Sequence, residues 1–408
     1  MATWIKTALV GAAVLLLAPL VASCKGGPQS ASHSTPKQNF VPSGKAAQLA
    51  PELLEQRGFV ELWTHSLGSA IEQIWIVSGN LYLTSQASNG SFTLLKVNGE
   101  NGRTEWTYSL AGKLVFPPTV YNYPKELQAT RFNELFIVEN DNIVVIDDRH
   151  GDKVGNMRCG FSISTPVTAG VDNVFVGSWN GRVYAFSKAN GLEQWTYITD
   201  ESVVAAGETG KLNVFFGSED GSVYSFNQGA GYVEGSSWRV PTGGKIIAQP
   251  VFYNDRVYIG SWDFKLYCLE DFRGLVRWSF PCGSPIVSPV FPFKDVVIAI
   301  GQAERRGSVL PDYTLMVFSD DSGALRWERT GFTRVIAADA LHCYALDTSG
   351  ALTALRMEDG KTAWQMPEVK KADYILSQSA DYSANRELWG RIYLASHDGM
   401  IQAIRPKR

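Results

Sequence analysis

The chain has little of what catalytic chemistry requires. Its 408 residues include five histidines and five cysteines, and neither set is spaced as a site. There is no His-Glu-x-x-His, no Gly-x-Ser-x-Gly, no Walker loop and no Cys/His spacing suited to zinc. Zincin, α/β-hydrolase, P-loop and zinc-module chemistries are therefore excluded by their own motifs. His33, His65, His150, His342 and His397 are scattered; His397 falls in a turn and reads as a solvated side chain. Asp320-Asp321-Ser322-Gly323 begins like a calcium loop but lacks the downstream ligands, so a hairpin turn is expected there. Charge is also sparse. The net charge of −3, with no block of like sign, leaves no electrostatic footprint for nucleic acid. Only one long apolar run exists, Thr7–Val21, and it is shorter than a membrane span requires.

What the chain does have is repetition, the signature of solenoids and propellers. From Ser164 to Trp195, four short β-branched or aromatic runs alternate with Gly and Asn turns, as in an antiparallel meander. The second run and its turn, Asn173–Gly181, return as VFFGSEDG at Val214, VYIGSWDF at Val257 and IYLASHDG at Ile392. The fourth run carries a Trp after a Gly-containing turn at Trp106, Trp195, Trp278, Trp327 and Trp364, with Trp238 following a longer turn. First runs often follow Pro, as at Pro117, Pro166, Pro250 and Pro289. Seven complete units result, and Met157 is read as standing where the second unit would carry its Trp.

After Trp364 only three strands remain, in Tyr374–Ile404, whereas Phe59–Ser66 (FVELWTHS) is a lone fourth strand with its own Trp63. Pairing the two closes a ring of eight four-stranded blades and leaves no open sheet edge. The expected fold is thus all-β: an eight-bladed propeller spanning 59–408. The Trp residues are expected to cover the seams between blades, each burying about 150–250 Å².

The amino terminus reads as export machinery. Lys6 and the apolar run make Met1–Ser23 a signal peptide. Leu20-Val21-Ala22-Ser23-Cys24 resembles a bacterial lipobox, which implies cleavage before Cys24, a diacylglycerol thioether on its sulfur and acylation of the new amino group. Lys25, not being Asp, implies the outer membrane under the enteric sorting rule. The Gly/Ser/Pro-rich stretch after Cys24 reads as a flexible tether running to Gly58, with a short helix at Pro51–Gln56. The remaining Cys159, Cys268, Cys282 and Cys343 could form two disulfides, but their positions favour buried free thiols.

The repeat, with its Gly turn and Trp, resembles the pyrroloquinoline-quinone (PQQ) propeller repeat over Phe59 to the end. That group divides into quinoprotein dehydrogenases and the BamB-like lipoprotein scaffolds of the outer-membrane β-barrel assembly machinery. The dehydrogenases carry adjacent cysteines beside the quinone and, in haem-bearing members, a Cys-x-x-Cys-His; this chain has neither. Signal, lipobox, tether and eight blades together resemble the BamB family. The resemblance implies a non-enzymatic scaffold without cofactor or metal, monomeric in itself, on the periplasmic face of the outer membrane. The implied partner is a subunit of the assembly machinery. A quinone-dependent enzyme, or a lipoprotein for another ligand such as a polysaccharide, are the alternatives. The family's acidic partner-binding loops have no counterpart in Val240–Gln249, whose one charge is Lys245.

A contact face can still be read locally. Trp179 and Trp262 stand at equivalent tips between second and third strands, where loops are normally polar. Glu219 and His397 occupy the matching places in two other blades. Trp179 and Trp262 are candidate interface anchors, with Glu219, Asp200 and Glu201 beside them; each Trp could instead fold down on the neighbouring blade.

Overall fold

Short β-branched and aromatic runs separated by residues that accept positive φ can form only tight meanders, and the computed structural model consists of these. It describes residues 48–124, 131–304, 311–377 and 391–407. The signal peptide, Cys24 and the tether as far as residue 47 lie outside the described residues. Eight antiparallel sheets of four strands each follow one another. Blades are numbered here in chain order, with the composite blade as blade 8. Blade 3 is typical: Thr168–Ala169, Asn173–Ser178, Arg182–Ser187 and Glu193–Ile198, from the innermost strand to the outermost. Inner strands are often short, down to two residues in blades 3 and 4, where Gly170 and Gly210 follow them.

Blade 8 closes the ring. Phe59–Ser66 pairs antiparallel with Met400–Pro406, from Phe59 opposite Pro406 to Ser66 opposite Met400. Lys407 N–H donates to the Gly58 carbonyl at 2.6 Å, so the two chain ends stand in for the hairpin that the other blades possess. The packed region begins before this strand. Leu49 and Leu54 are buried with Phe59, Ile392 and Ile404, and Leu49 N–H donates to Gln402 Oε1 at 2.9 Å.

Adjacent blades are joined by one repeated device. Each outer-strand indole N–H donates to the carbonyl that opens the third-to-fourth-strand turn of the next blade. The pairs are Trp63 to Gly99 (3.1 Å), Trp106 to Asp148 (2.9 Å), Trp195 to Gln228 (3.4 Å), Trp238 to Asp271, Trp278 to Asp320 and Trp327 to Met357 (each 2.8 Å). The ring then lies flat on that turn's glycine: a Cβ on Gly102, Gly274, Gly323 or Gly360 would stand 2.5 Å from the indole. These glycines also have positive φ, which other residues adopt only under strain. A β-bulge recurs one residue before the Trp in blades 1, 3, 5, 6, 7 and 8, and it turns the indole out of the pleat toward the seam. Trp364, which faces the composite blade, instead meets Phe59 edge-on at 5.4 Å.

Register corrects the reading of blade 2. Gly155 pairs with Val145 beside the bulge as Trp195 pairs with Ala185, so Gly155, not Met157, stands in the Trp position. Met157, two residues on, still reaches the next blade, since a Cβ on Gly191 would stand 3.5 Å from its Cγ. Asp320, considered for calcium, sits in a hairpin turn. Its carboxylate accepts from Tyr258 OH and pairs with Arg256 at 2.8 Å. The four cysteines after Cys24 are free; Cys268 and Cys343 are buried, while Cys159 and Cys282 are half-buried. Burial pushes Cys159, Cys268, Cys282 and Cys343 each up to about 12.

One inner-strand carboxyl makes stability depend on pH. Glu208, on the inner strand of blade 4, accepts from Gln249 Nε2 at 3.1 Å. Burial outweighs that hydrogen bond and pushes its pKa up to about 7 from 4.5. The native state therefore holds this proton more tightly than the unfolded chain does. Stability from this group is complete below the unfolded value and is lost as pH rises through the folded one. Thermal midpoints of the Glu208→Gln variant should decline less than wild type between pH 4.5 and 7. Parallel curves would show that Glu208 ionises freely.

Candidate partner-binding face

The turns between second and third strands emerge on the same ring face as the connections between blades, and hydrogen bonds tie the two together. In blade 3 the Trp179 carbonyl accepts from Ser202 Oγ at 3.1 Å. In blade 4, Glu219 N–H donates to the Ser202 carbonyl at 2.9 Å. In blade 5, Trp262 N–H donates to the Lys245 carbonyl at 3.0 Å. Beneath each tip is a buried serine, Ser178, Ser218 or Ser261, whose hydroxyl donates to a carbonyl of the incoming connection. The Gly-Ser at the end of these three second strands thus ties each tip to the connection between blades.

Two of the tips present aromatic surface. Trp179 is 37% and Trp262 45% exposed, so each keeps a substantial part of its surface open to solvent. Ile198, at the end of the outer strand of blade 3, is 61% exposed. Blade 4, between them, is charged. Glu219 pairs with Lys245 at 3.0 Å, and this hydrogen bond holds the ammonium above its ordinary value. Asp200 pairs with Arg239 at 2.8 Å, and Arg239 also reaches Asp220 at 3.6 Å. Glu201 is exposed, and its carboxylate makes no ion pair among the described residues. The five residues singled out from sequence therefore lie on three successive blades, apolar at the flanks and charged at the centre. His397, at the matching tip of blade 8, is half-buried and not simply solvated: its N–H donates to Asp373 at 2.6 Å and its Nδ1 lies 2.7 Å from the Ile71 carbonyl.

Sequence reasoning passed over Phe264. In blades 3, 4 and 8 the residue closing the tip is Gly181, Gly221 or Gly399, with φ of +72°, +83° and +97°; in blade 5 it is Phe264, with φ of +68°. The turn itself imposes this conformation. Each of these residues offers its carbonyl to the N–H that follows the outer strand: Thr199 at 2.8 Å, Thr242 at 2.7 Å, Leu67 at 3.0 Å and Cys282 at 2.7 Å. Phe in that conformation costs about 1–2 kcal/mol, and its ring is 50% exposed.

A family model described as "Outer membrane protein assembly factor BamB" matches residues 139–234 and again 234–407. The chain belongs to that family. BamB of Moraxella catarrhalis, solved by crystallography, superimposes with a TM-score of 0.62 at 15% identity, covering 85% of this chain and 97% of that one. A computationally designed protein, Ika8, gives a TM-score of 0.57 at 13% identity over 85% of this chain and 99% of its own. The quinohemoprotein alcohol dehydrogenase of Comamonas testosteroni gives 0.59 at 10% identity over 86% of this chain and 77% of its own. At such identities these three likenesses concern the fold. None of the curated proteins matches the chain significantly. Membership of the BamB family makes a propeller scaffold for outer-membrane assembly the setting in which the tip face is to be understood. Among the described residues no three His, Cys, Asp or Glu side chains converge as a metal site.

Proposed function

We propose that this protein is a non-enzymatic scaffold, tethered by lipid at Cys24 to the periplasmic face of the outer membrane. Its 24–58 segment would hold the 59–408 propeller off the bilayer. There it binds a subunit of the β-barrel assembly machinery through the face carrying Trp179, Trp262, Glu219, Asp200 and Glu201. The family match over most of the propeller carries the reading. The exposed aromatics support the choice of face, because interface energy concentrates in such anchors. Lipidation rests on the lipobox-like residues before Cys24, and two or more acyl chains suffice for stable anchoring.

The fold likeness to a quinohemoprotein keeps an enzymatic alternative in play. One experiment separates the two. Full-length protein is purified from solubilised membranes, its co-purifying proteins are identified, and a Trp179→Ala/Trp262→Ala double variant is compared. Recovery of the assembly subunit with wild type, and at least about a tenfold loss with the double variant, is the expected result. Equal recovery by both discards the face. Stoichiometric binding of PQQ with calcium, together with dye reduction, overturns the scaffold.

A further inference from the structure

We infer that Phe264 is a partner-contact residue, forming with Trp262 an aromatic clamp for an apolar side chain of the assembly subunit. The inference rests on the proposed function and assigns that face a residue and a chemistry. Five tips, those of blades 3, 4, 5, 7 and 8, place a positive φ at the closing position, and four of them fill it with glycine (Gly181, Gly221, Gly350 and Gly399). The fifth, in blade 5, places the bulky aromatic Phe264 where the backbone disfavours it. Such strain persists where the surroundings over-determine it, and it gathers at functional sites.

Packing within the chain covers only part of the side chain: Phe264 is 50% exposed, and it stacks on no other ring among the described residues. Its neighbour Trp262 is also half-exposed, while the residue between them is committed: Asp263 accepts from Gly243 N–H at 3.0 Å and from Tyr267 OH at 2.5 Å. The tip is thus rigid in its backbone and polar middle, with two aromatic surfaces left open. Rigid aromatics of this kind make strong anchors because little side-chain entropy is lost on binding.

Charge defines the rest of the partner segment. On this face the Lys245–Glu219 and Arg239–Asp200 charges are paired within the chain; Glu201, whose charge Lys245 also feels, and the exposed Lys265 beside Phe264 make no ion pair among the described residues. A segment with an apolar side chain for the clamp, a basic one for Glu201 and an acidic one within reach of Lys265 complements what is left open.

The test uses mature full-length protein and the purified periplasmic region of the barrel-forming assembly subunit. Phe264→Gly and Phe264→Asn place residues that tolerate positive φ at the tip. Both should keep the wild-type thermal midpoint or exceed it by up to about 2 °C, yet bind about tenfold more weakly. Glu201→Lys should weaken binding as well, more at low salt than at high. A lower midpoint in both Phe264 variants would make the ring a structural element and overturn the inference. Unchanged affinity would do the same while leaving the proposed face intact. Wild-type protein that fails to bind the subunit would bring down the functional reading, and the clamp with it.

Discussion

Removal of residues 48–66 should abolish the single cooperative unfolding transition and turn a monomer into aggregates. The segment supplies the outer strand of blade 8, and four of its side chains, Leu49, Leu54, Phe59 and Trp63, are buried to 9% exposure or less. Burying side chains of this kind contributes about 1.5–3 kcal/mol each. Together that approaches the whole net stability of a domain, about 5–15 kcal/mol. Without the segment, Met400–Pro406 becomes an open edge, a template for pairing between chains. Trp63 would also no longer cap the Gly99–Gly102 turn of blade 1. Calorimetry and light scattering report both effects, and a synthetic peptide of residues 48–66 should restore the monomer in part. A truncated protein that stays monomeric with an unchanged midpoint would mean that the ring does not depend on its closing strand.

Substitution of Gly323 by Ala is expected to cost about 2–5 kcal/mol. Its φ is +67°, and a new Cβ would stand 2.5 Å from the Trp278 ring. The left-handed conformation accounts for about 1–2 kcal/mol, and forced repacking of the indole for about 1–3 kcal/mol more. Gly283, with φ of +70° and nothing within 4 Å, is the control. Gly283→Ala should lose only the conformational part. Combining Gly323→Ala with Trp278→Ala isolates the contact. Once the indole is gone, the alanine should cost no more at 323 than at 283. Strict additivity of the two changes, measured by denaturant unfolding, would show that indole and glycine are neighbours without being coupled.

Much of this architecture was legible because it recurs. One Gly-to-Trp turn is weak evidence, but five at the same spacing identify an outer strand, and the orphan strand at Phe59–Ser66 then has one place to go. The bulge before each Trp was not legible, since it depends on which ladder hydrogen bonds form and not on residue type. That is also why Met157, large and apolar, was taken for the substituted Trp when the register gives the position to Gly155. At the candidate face, Trp179 and Trp262 could be picked out as aromatics at polar tips. Phe264 could not, because the letters show only a departure from Gly. Its meaning lies in a backbone angle that the tips of blades 3, 4, 7 and 8 reach with glycine.

The closing strand also sets an order of events. Phe59–Ser66 is synthesised near the beginning of the chain and its partner Met400–Pro406 near the end, so residues such as Glu61 and Gln402, 341 positions apart, must find each other last. Contacts this distant make folding slow and hold back the final step until the polypeptide is complete. A prematurely terminated product can assemble most of its blades yet never lock. It keeps the edge of Ile392–Ala395 open, where a strand of another chain can add.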